Sequence, residues 1–552
     1  MLKTKVVSCM EKCFIDQKPE DFKGVSKIRM YKNERASVQF LVYESARKRV
    51  ATLLKMEVES ELKENVTLRT VENIPNYNSY YQKEEAEKYG CIRITPGLYP
   101  DVLMPLMRGN CVPCYNKQLH SVMIDFEGDL KAGKYPVKIV LYTLDDKKVA
   151  ESEFVVEIID ALLPEQETIV TNWFYADCLA DYYNVEVFSD RHFEICENYI
   201  KTAVKNGTNM LLMPVFTPPL DTYVGGERTT VQLVKIDVKK GKYYFDFSLV
   251  DRWIEMCNRC NIKYLEICHL FTQWGAYHAP KIMATVDGEY KRIFGWETDS
   301  AGDEYVKFIR QFLTEFTAYL EKRGDKERTY FHISDEPNEK HIEQYRKNKK
   351  NVMDILKGFK VMDALSRVEF YKEGLCEIPV PQTTKIEPFM AEDIKERWVY
   401  YCCGPLEGTN RGFSLPTPRT RSLGMQMYKY GIKGFLHWGY NYYNNQISYD
   451  NVNPFLNPCG GYFGDEIGGD CHEVYPAQDG TAFESLRLMA ARLAFDDIRL
   501  FKLCESYYEK ERVVSEIEKI TGNLDFEKCV NDVETMQKIR DRMDDMIISK
   551  IK

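Results

Sequence analysis

Around Leu163-Pro164 the hydrophobic period of this chain changes, and the change divides it into parts that must fold differently. Before it, runs such as SVQFLVYES, YPVKIVLYTL and SEFVVEIIDA alternate β-branched or aromatic residues with polar ones. A period of two is what a strand with one buried face requires. Polar and Gly-bearing breaks such as EGDLKAGKYP and LDDKK separate the runs, and AGKYPVKIVLYTLDDKKVAESEFVVEII reads as a hairpin closing the unit. Residues 1–164 are therefore expected to form an antiparallel β-sandwich.

After it, strands alternate with helices. TIVTNWFYAD, NMLLMPVF, IKYLEICHLF and RTYFHISDE read as strands, followed by the shorter KVMDAL, EIPVPQ and RWVYYCC and by IKGFLHWGY. Between them lie helical patterns. SDRHFEICENYIKTAVKNG has Ser189 as N-cap and Gly207 as stop, and DEYVKFIRQFLTEFTAYLEKRG repeats apolar residues at i, i+3, i+4 and i+7. Eight strands in this alternation predict a (β/α)8 TIM-type barrel over residues 165–460. The loops after the second, third and last strands are long, and such loops build the active site of a barrel. Residues 461–552 are expected to form a C-terminal helical extension. It opens on the Gly-rich CGGYFGDEIGGD and ends in a charge-alternating helix that packs on the barrel or joins copies into a homo-oligomer.

Bulk properties narrow the function classes. With 84 acidic against 75 basic residues the net charge is −9, so a general nucleic-acid binder, which needs a basic face, is not expected. No run approaches the roughly 18 apolar residues of a membrane span. The N-terminal MLKTKVVSCMEKCF has no signal-peptide core, and the 17 cysteines are an odd number without a regular framework. Both point to reduced thiols and a cytoplasmic protein. Cys257 and Cys260 lack the second pair of a zinc site, and the eight histidines form no HExxH. Phosphate-cradling glycine loops and a GxSxG elbow are absent as well, so no metal or cofactor is expected.

The chemistry is expected at FHISDEPNEKH. The fourth strand ends in Asp335 and Glu336, and Pro337 breaks the strand there. Neighbours on a strand point to opposite faces, so two adjacent acids share a pocket only where the strand gives way to its loop. Repulsion and burial then keep one carboxyl protonated and leave the other ionised. Most glycosidases place two carboxylates on opposite sides of the scissile bond. Adjacent ones suit a reaction in which a 2-acetamido group of the sugar is the nucleophile. Asp-Glu-Pro is equally a common way to start a helix.

The segments NWFYADCLADYY, LMPVFTPPLDT, HLFTQWGAYHAPKI, FHISDEP, PTPRTRSLGMQMYKYGIKGFLHWGYNYY and VYPAQDGTAFESLRL resemble glycoside hydrolase family 123 and its wider relatives, the domain of unknown function 4091. The resemblance covers most of residues 166–505. It implies a sandwich followed by a barrel, β-N-acetylgalactosaminidase activity, and a retaining, substrate-assisted mechanism. In that mechanism Asp335 orients the acetamido group and Glu336 is the acid/base. Related hexosaminidases imply a tyrosine donor to the acetamido oxygen, for which Tyr401 is chosen over Tyr400. Trp438, Tyr440 and Asn441 after the last strand are expected to bind the sugar. So are His269, Gln273 and Trp274 after the third strand, Trp173, Tyr175 and Asp177 after the first, and Arg228 from the long loop after the second. A strand His or Trp is also a common core residue, and a loop Arg a common surface one. The expected partner is an oligosaccharide or glycoside. Two further readings stay open, a glycosidase for sugars without an acetamido group and a non-catalytic carbohydrate-binding protein.

Overall fold

A computed structural model of the chain describes residues 2–45, 51–77, 83–106, 109–403, 407–445, 450–457 and 468–551. The expected domain limit at residue 460, and most of CGGYFGDEIGGD, lie outside the described residues.

The N-terminal alternation forms two sheets. One runs Leu2–Ser8, Ala36–Glu44, Leu119–Phe126, Val66–Asn76 and Gly97–Pro105; the other runs Lys27–Tyr31, Lys148–Ile159, Gly133–Tyr142, Ala51–Glu59 and Cys111–Tyr115. Pairing is antiparallel except for Lys27–Tyr31, which runs parallel to Lys148–Ile159. The closing hairpin joins Gly133–Tyr142 to Lys148–Ile159, with a bulge between Lys148 and Ala150. Alternate residues explain the core. Val38, Phe40 and Val42 of the first sheet bury against Ile139, Leu141, Phe154, Val156 and Ile158 of the second.

The eight strands expected of the central part all form, as Ile169–Asn172, Met210–Met213, Tyr264–Ile267, Thr329–Phe331, Lys360–Ala364, Ile378–Val380, Trp398–Tyr400 and Gly434–His437. They make one parallel sheet in which the first strand pairs with both the second and the eighth. A bridge from Gln382 to Tyr400 draws the sixth and seventh strands together, so the sheet is a nearly closed barrel. Helices Asp190–Lys205, Ser248–Arg259, Asp303–Arg323, Ile342–Val352 and Thr417–Tyr430 follow strands in the sequence. The long loops after the second and third strands each contain a hairpin, and the two hairpins combine into a four-stranded sheet.

The C-terminal part does more than pack on the barrel. Ala482–Ser485, within the expected helical extension, is a strand that pairs with Gly97–Pro105 and extends the N-terminal sheet. Ser485 then caps helix Leu486–Glu505 by accepting from the Leu488 N–H. Helices Leu486–Glu505, Lys510–Thr521 and Val533–Ile551 cover the other face of that sheet. There Met489, Leu500, Met543 and Ile547 are buried with Tyr31, Leu103 and Met123, each burial contributing about 2 kcal/mol. Barrel helix Thr417–Tyr430 meets Leu486–Glu505 so closely at Gly424 that a Cβ there would lie 2.2 Å from the Ala494 carbonyl oxygen. Buried ion pairs close the seams: Glu484 with Arg35 and Arg69, Arg540 with Glu34, and Arg421 with Asp497. None of the helices in the described residues is long and apolar enough to cross a membrane.

Candidate active site

The fourth barrel strand stops at Phe331, and its exit is held by neighbours on both sides. Asp363 of the fifth strand accepts from the Ile333 and Ser334 amides at 2.9 and 3.2 Å. The Ser334 hydroxyl donates to the Thr272 carbonyl at 2.8 Å, the Trp274 amide to the Asp335 carbonyl at 2.8 Å, and the Glu336 amide to the Ala364 carbonyl at 2.9 Å. Glu336 itself has φ +44°, in the left-handed region, with Pro337 behind it. Such a conformation costs a non-glycine residue on the order of 1–3 kcal/mol and persists only where the surroundings impose it. It breaks strand alternation, so both adjacent acids reach one cavity.

That cavity measures about 200 Å³ and opens at the C-terminal ends of the strands. Trp173, Trp274, Trp438 and Tyr400 supply aromatic walls around Asp335 and Glu336. Asp335 is the deeper acid; it is buried, and its carboxyl makes no hydrogen bond among the described residues. Burial pushes its carboxyl well above the usual range, the charge of Glu336 adds to this, and His332 opposes it. Glu336 is half-buried, and its Oε1 accepts from the Tyr400 hydroxyl at 2.5 Å. Burial and the Glu336 charge keep Tyr400 un-ionised, so it serves as a donor.

The Trp438 wall is fixed from behind. Its Nε1–H donates to Asp470 Oδ2 at 2.5 Å, and His437 Nε2 lies 3.1 Å from Asp470 Oδ1. Burial and the Arg411 charge push His437 down to about 4, so the ring is neutral. Because its Nδ1 accepts from the Gly439 amide at 3.0 Å, its proton sits on Nε2 and is donated to Asp470. Burial works against the Asp470 charge, but His437, Arg411 and Trp438 outweigh it and hold this carboxyl below its usual range. Arg411 donates to the Gly439 and Asp470 carbonyls and pairs with Glu473, binding the two segments together. Gly439 is required at this crossing, since a Cβ would lie 2.5 Å from the Asp470 carbonyl oxygen.

Beneath the pocket the barrel interior is polar. Glu266 of the third strand accepts from Trp173 Nε1 at 2.8 Å and from the Thr171 hydroxyl. His332 lies between Glu266 (Nε2 to Oε1, 2.7 Å) and Asp363 (Nδ1 to Oδ1, 3.3 Å), and Asp363 also accepts from the Tyr345 hydroxyl. His269 stacks on His332 with ring centroids 4.3 Å apart. The ligand atoms of His269, His332 and Asp363 lie within 4.8 Å of one another, which makes this the place where a cation could be held. Both His332 nitrogens already face carboxylate oxygens, at 2.7 and 3.3 Å, so a cation there would have to displace one of these contacts.

Of the residues singled out from sequence, Trp173, Tyr175, Gln273, Trp274, Asp335, Glu336 and Trp438 line the pocket. The others support it or lie elsewhere. Arg228 and Asp177 form a buried ion pair at 2.7 Å, with Arg228 5.0 Å from the Tyr175 ring centroid. Asn441 brackets the Tyr175 backbone, accepting from its amide and donating to its carbonyl. Tyr440 stacks on Phe174 and donates to the Tyr199 carbonyl, in the core. His269 lies under Trp173. Tyr400, and not Tyr401, reaches the acids: alternation turns Tyr400 inward and packs Tyr401 with Phe435, Leu423 and Phe495. Asp221, Cys402, Cys403 and Asp470 also line the pocket and were not singled out for it. Asp470 stands at the end of a Gly-rich run far from any barrel strand, so no local pattern marks it.

The sequence matches the model of the glycoside hydrolase 123 catalytic domain over residues 173–504, more than half the chain. No curated protein matches the sequence. Among solved structures it is similar to a family 123 glycoside hydrolase from Clostridium perfringens, with TM-score 0.73 and 14% identity, over 100% of this chain and 98% of that one. Weaker likenesses are to the β-glucuronidases of Bacteroides uniformis (TM-score 0.28, 10% identity, 82% of this chain and 48% of that one) and Parabacteroides merdae (0.29, 10%, 88% and 51%), too low to carry an argument. The chain, with its acid pair at the end of the fourth barrel strand, belongs to glycoside hydrolase family 123.

Proposed function

We propose that this glycosidase removes terminal β-linked N-acetylhexosamine, N-acetylgalactosamine foremost, by a retaining, substrate-assisted mechanism on a (β/α)8 barrel preceded by a β-sandwich. One observation carries the reading. Asp335, deep and without a hydrogen-bond partner among the described residues, sits beside half-buried Glu336, which is held by Tyr400. A buried carboxylate lacking donors is matched by an N–H, and the acetamido group supplies one. Glu336, nearer the mouth, gives its proton to the glycosidic oxygen as the bond from C1 to that oxygen breaks. The acetamido oxygen attacks C1 and forms an oxazolinium ion, with Asp335 holding the N–H. Water, deprotonated by Glu336, then attacks C1 on the face the leaving group vacated, and the configuration is retained. Trp173 and Trp438 offer flat surfaces for the apolar faces of the sugar and its methyl group. The cysteines in the described residues are all free thiols, in keeping with a reducing cytoplasmic setting and an imported saccharide as substrate.

The test is inhibition by an acetamido-derived thiazoline, which mimics the oxazolinium ion, together with hydrolysis of paired aryl N-acetyl-β-galactosaminide and N-acetyl-β-glucosaminide. Tight inhibition and preference for the galactosaminide are expected. Indifference to the thiazoline in an enzyme that cleaves other glycosides would move the assignment to sugars without an acetamido group. Glycan binding without turnover of any glycoside would make it a carbohydrate-binding protein.

A further inference from the structure

We propose that Cys402 and Cys403 form a vicinal dithiol site in the wall of the catalytic pocket, which captures a trivalent arsenical through both sulfurs and is thereby closed to substrate. The inference rests on the reading of this pocket as the catalytic one, but on no particular sugar.

The pair is built by the same device that brings the two acids together. The seventh strand ends at Tyr400, which reaches Glu336, and Tyr401 turns away into the core. Cys402 and Cys403 follow in the segment that leaves the strand, where alternation no longer holds. Both line the pocket with Asp335, Glu336, Trp438 and Asp470. Their Sγ atoms lie 3.9 Å apart. Cys402 is held in place, since Asn410 Nδ2 donates to its carbonyl at 2.8 Å and Gln382 Nε2 stands 4.0 Å from its sulfur. Both cysteines are half-buried, so a small reagent in the cavity meets them. No other two cysteines are adjacent in the chain. Cys257 and Cys260 are both buried, and Cys111 and Cys114 point to opposite faces of one strand.

The spacing selects the ligand. A disulfide needs its sulfurs about 2.05 Å apart and its Cα atoms about 4.4–6.8 Å apart, whereas neighbours across a trans peptide stand only about 3.8 Å apart. Direct oxidation of the pair would therefore distort the segment that carries Tyr400. One soft atom placed between the sulfurs needs no such closure, and thiolates favour soft centres over hard ones. An arylarsonous acid carries two hydroxyl groups on trivalent arsenic. Each thiol forms an S–As bond as one As–O bond breaks, and its proton leaves on that hydroxyl as water. Two waters depart, and arsenic stays trivalent. The bond from Cys403, burial, and the charges of Asp470 and Glu336 hold the Cys402 proton in place, and this condensation hands it directly to the departing hydroxyl. Once the first sulfur is attached, the second meets arsenic at an effective concentration on the order of millimolar or more, so the chelate outlasts a single-thiol adduct. An aryl group carried on the pair would stand beside Glu336 in a cavity of about 200 Å³, in the space the sugar needs.

The test uses the whole enzyme and phenylarsine oxide, which hydrates to the arsonous acid. One phenylarsenic group per chain is expected by intact mass, mapped to the tryptic peptide 398–411, which holds Cys402 and Cys403 and no other cysteine. Hydrolysis of whichever glycoside the enzyme cleaves should fall by about tenfold or more, and return with a dithiol but not with an equal concentration of a monothiol. Cys402→Ser and Cys403→Ser, each compared with its own untreated activity, should lose about tenfold or more in sensitivity. An unmodified peptide 398–411, a modified one with undiminished hydrolysis, or wild-type sensitivity in both variants would overturn the proposal. Should the variants fail to fold, a measurement on wild type decides. A saturating concentration of the sugar released from that glycoside should slow modification of the peptide, and an unchanged rate counts against the proposal. Failure of the reading of Asp335 and Glu336 is distinct, because it shows in untreated enzyme, as normal turnover by Glu336→Gln.

Discussion

The Tyr400 hydroxyl donates to Glu336 Oε1 over 2.5 Å, so the seventh barrel strand sets the direction of an acid carried by the fourth. A hydrogen bond to a charged group contributes about 1.5–3 kcal/mol. Tyr400→Phe is accordingly expected to lower kcat/KM by roughly 10- to 100-fold while leaving the fold intact, as steady-state kinetics and circular dichroism would report. Tyr401→Phe, whose ring packs away from the pocket, should leave kinetics near wild type.

Glu336→Gln removes the proposed proton donor. General acid catalysis contributes typically about 10²- to 10⁴-fold, so turnover of an unactivated glycoside should fall by that much, with less loss for a dinitrophenyl aglycone. Near-normal turnover of an unactivated substrate would show that another group is the acid.

Asp335→Asn should abolish thiazoline affinity and yet stabilise the protein. The folded state raises the Asp335 carboxyl well above its unfolded value of about 4. The stability linked to it is therefore full below pH 4 and is lost as pH rises towards the folded value. Thermal melts of wild type should decline over that range, those of the variant should decline less, and the variant should melt higher at pH 7. Equal slopes would mean the carboxyl is not strained.

Glu484 has the opposite sign. Burial works against its charge, but Arg35 and Arg69 hold its carboxyl far below the usual range. Its contribution is present above the unfolded value and is lost as pH falls through the folded one. Glu484→Gln leaves both arginines short of a partner at the seam between the N-terminal sheet and the C-terminal strand. Breaking a buried pair costs about 3–5 kcal/mol, which denaturant titration at pH 7 should detect, with a smaller difference in acid.

Much of this could be read in the sequence where a feature was local. FHISDEP placed the acid pair in the segment leaving the fourth strand, since Pro337 cannot continue a strand, although the strand itself stops earlier, at Phe331, and the barrel strands were marked by their apolar runs. What escaped depends on parity and on distant contacts. The seventh strand is three residues long, too short for its pattern to tell Tyr400 from Tyr401. The last strand ends at His437, so Tyr440 and Asn441 follow a turn rather than the strand's alternation, and they serve the core and Tyr175. Asp177 and Arg228 were separate candidates in sequence, and only folding makes them one buried pair. Glu266 and Asp363 lie on the third and fifth strands and His332 just past the end of the fourth, and nothing local in any one of these segments announces the network.

The central claim is that the sugar's own acetamido group is the nucleophile. Two aryl β-galactosides that differ only at C2, one with an acetamido group and one with a hydroxyl, test it most directly when their kcat/KM values are compared on the same enzyme. The account predicts ready hydrolysis of the acetamido substrate and none above background of the hydroxyl one. Comparable rates on both, or preference for the hydroxyl, would contradict it.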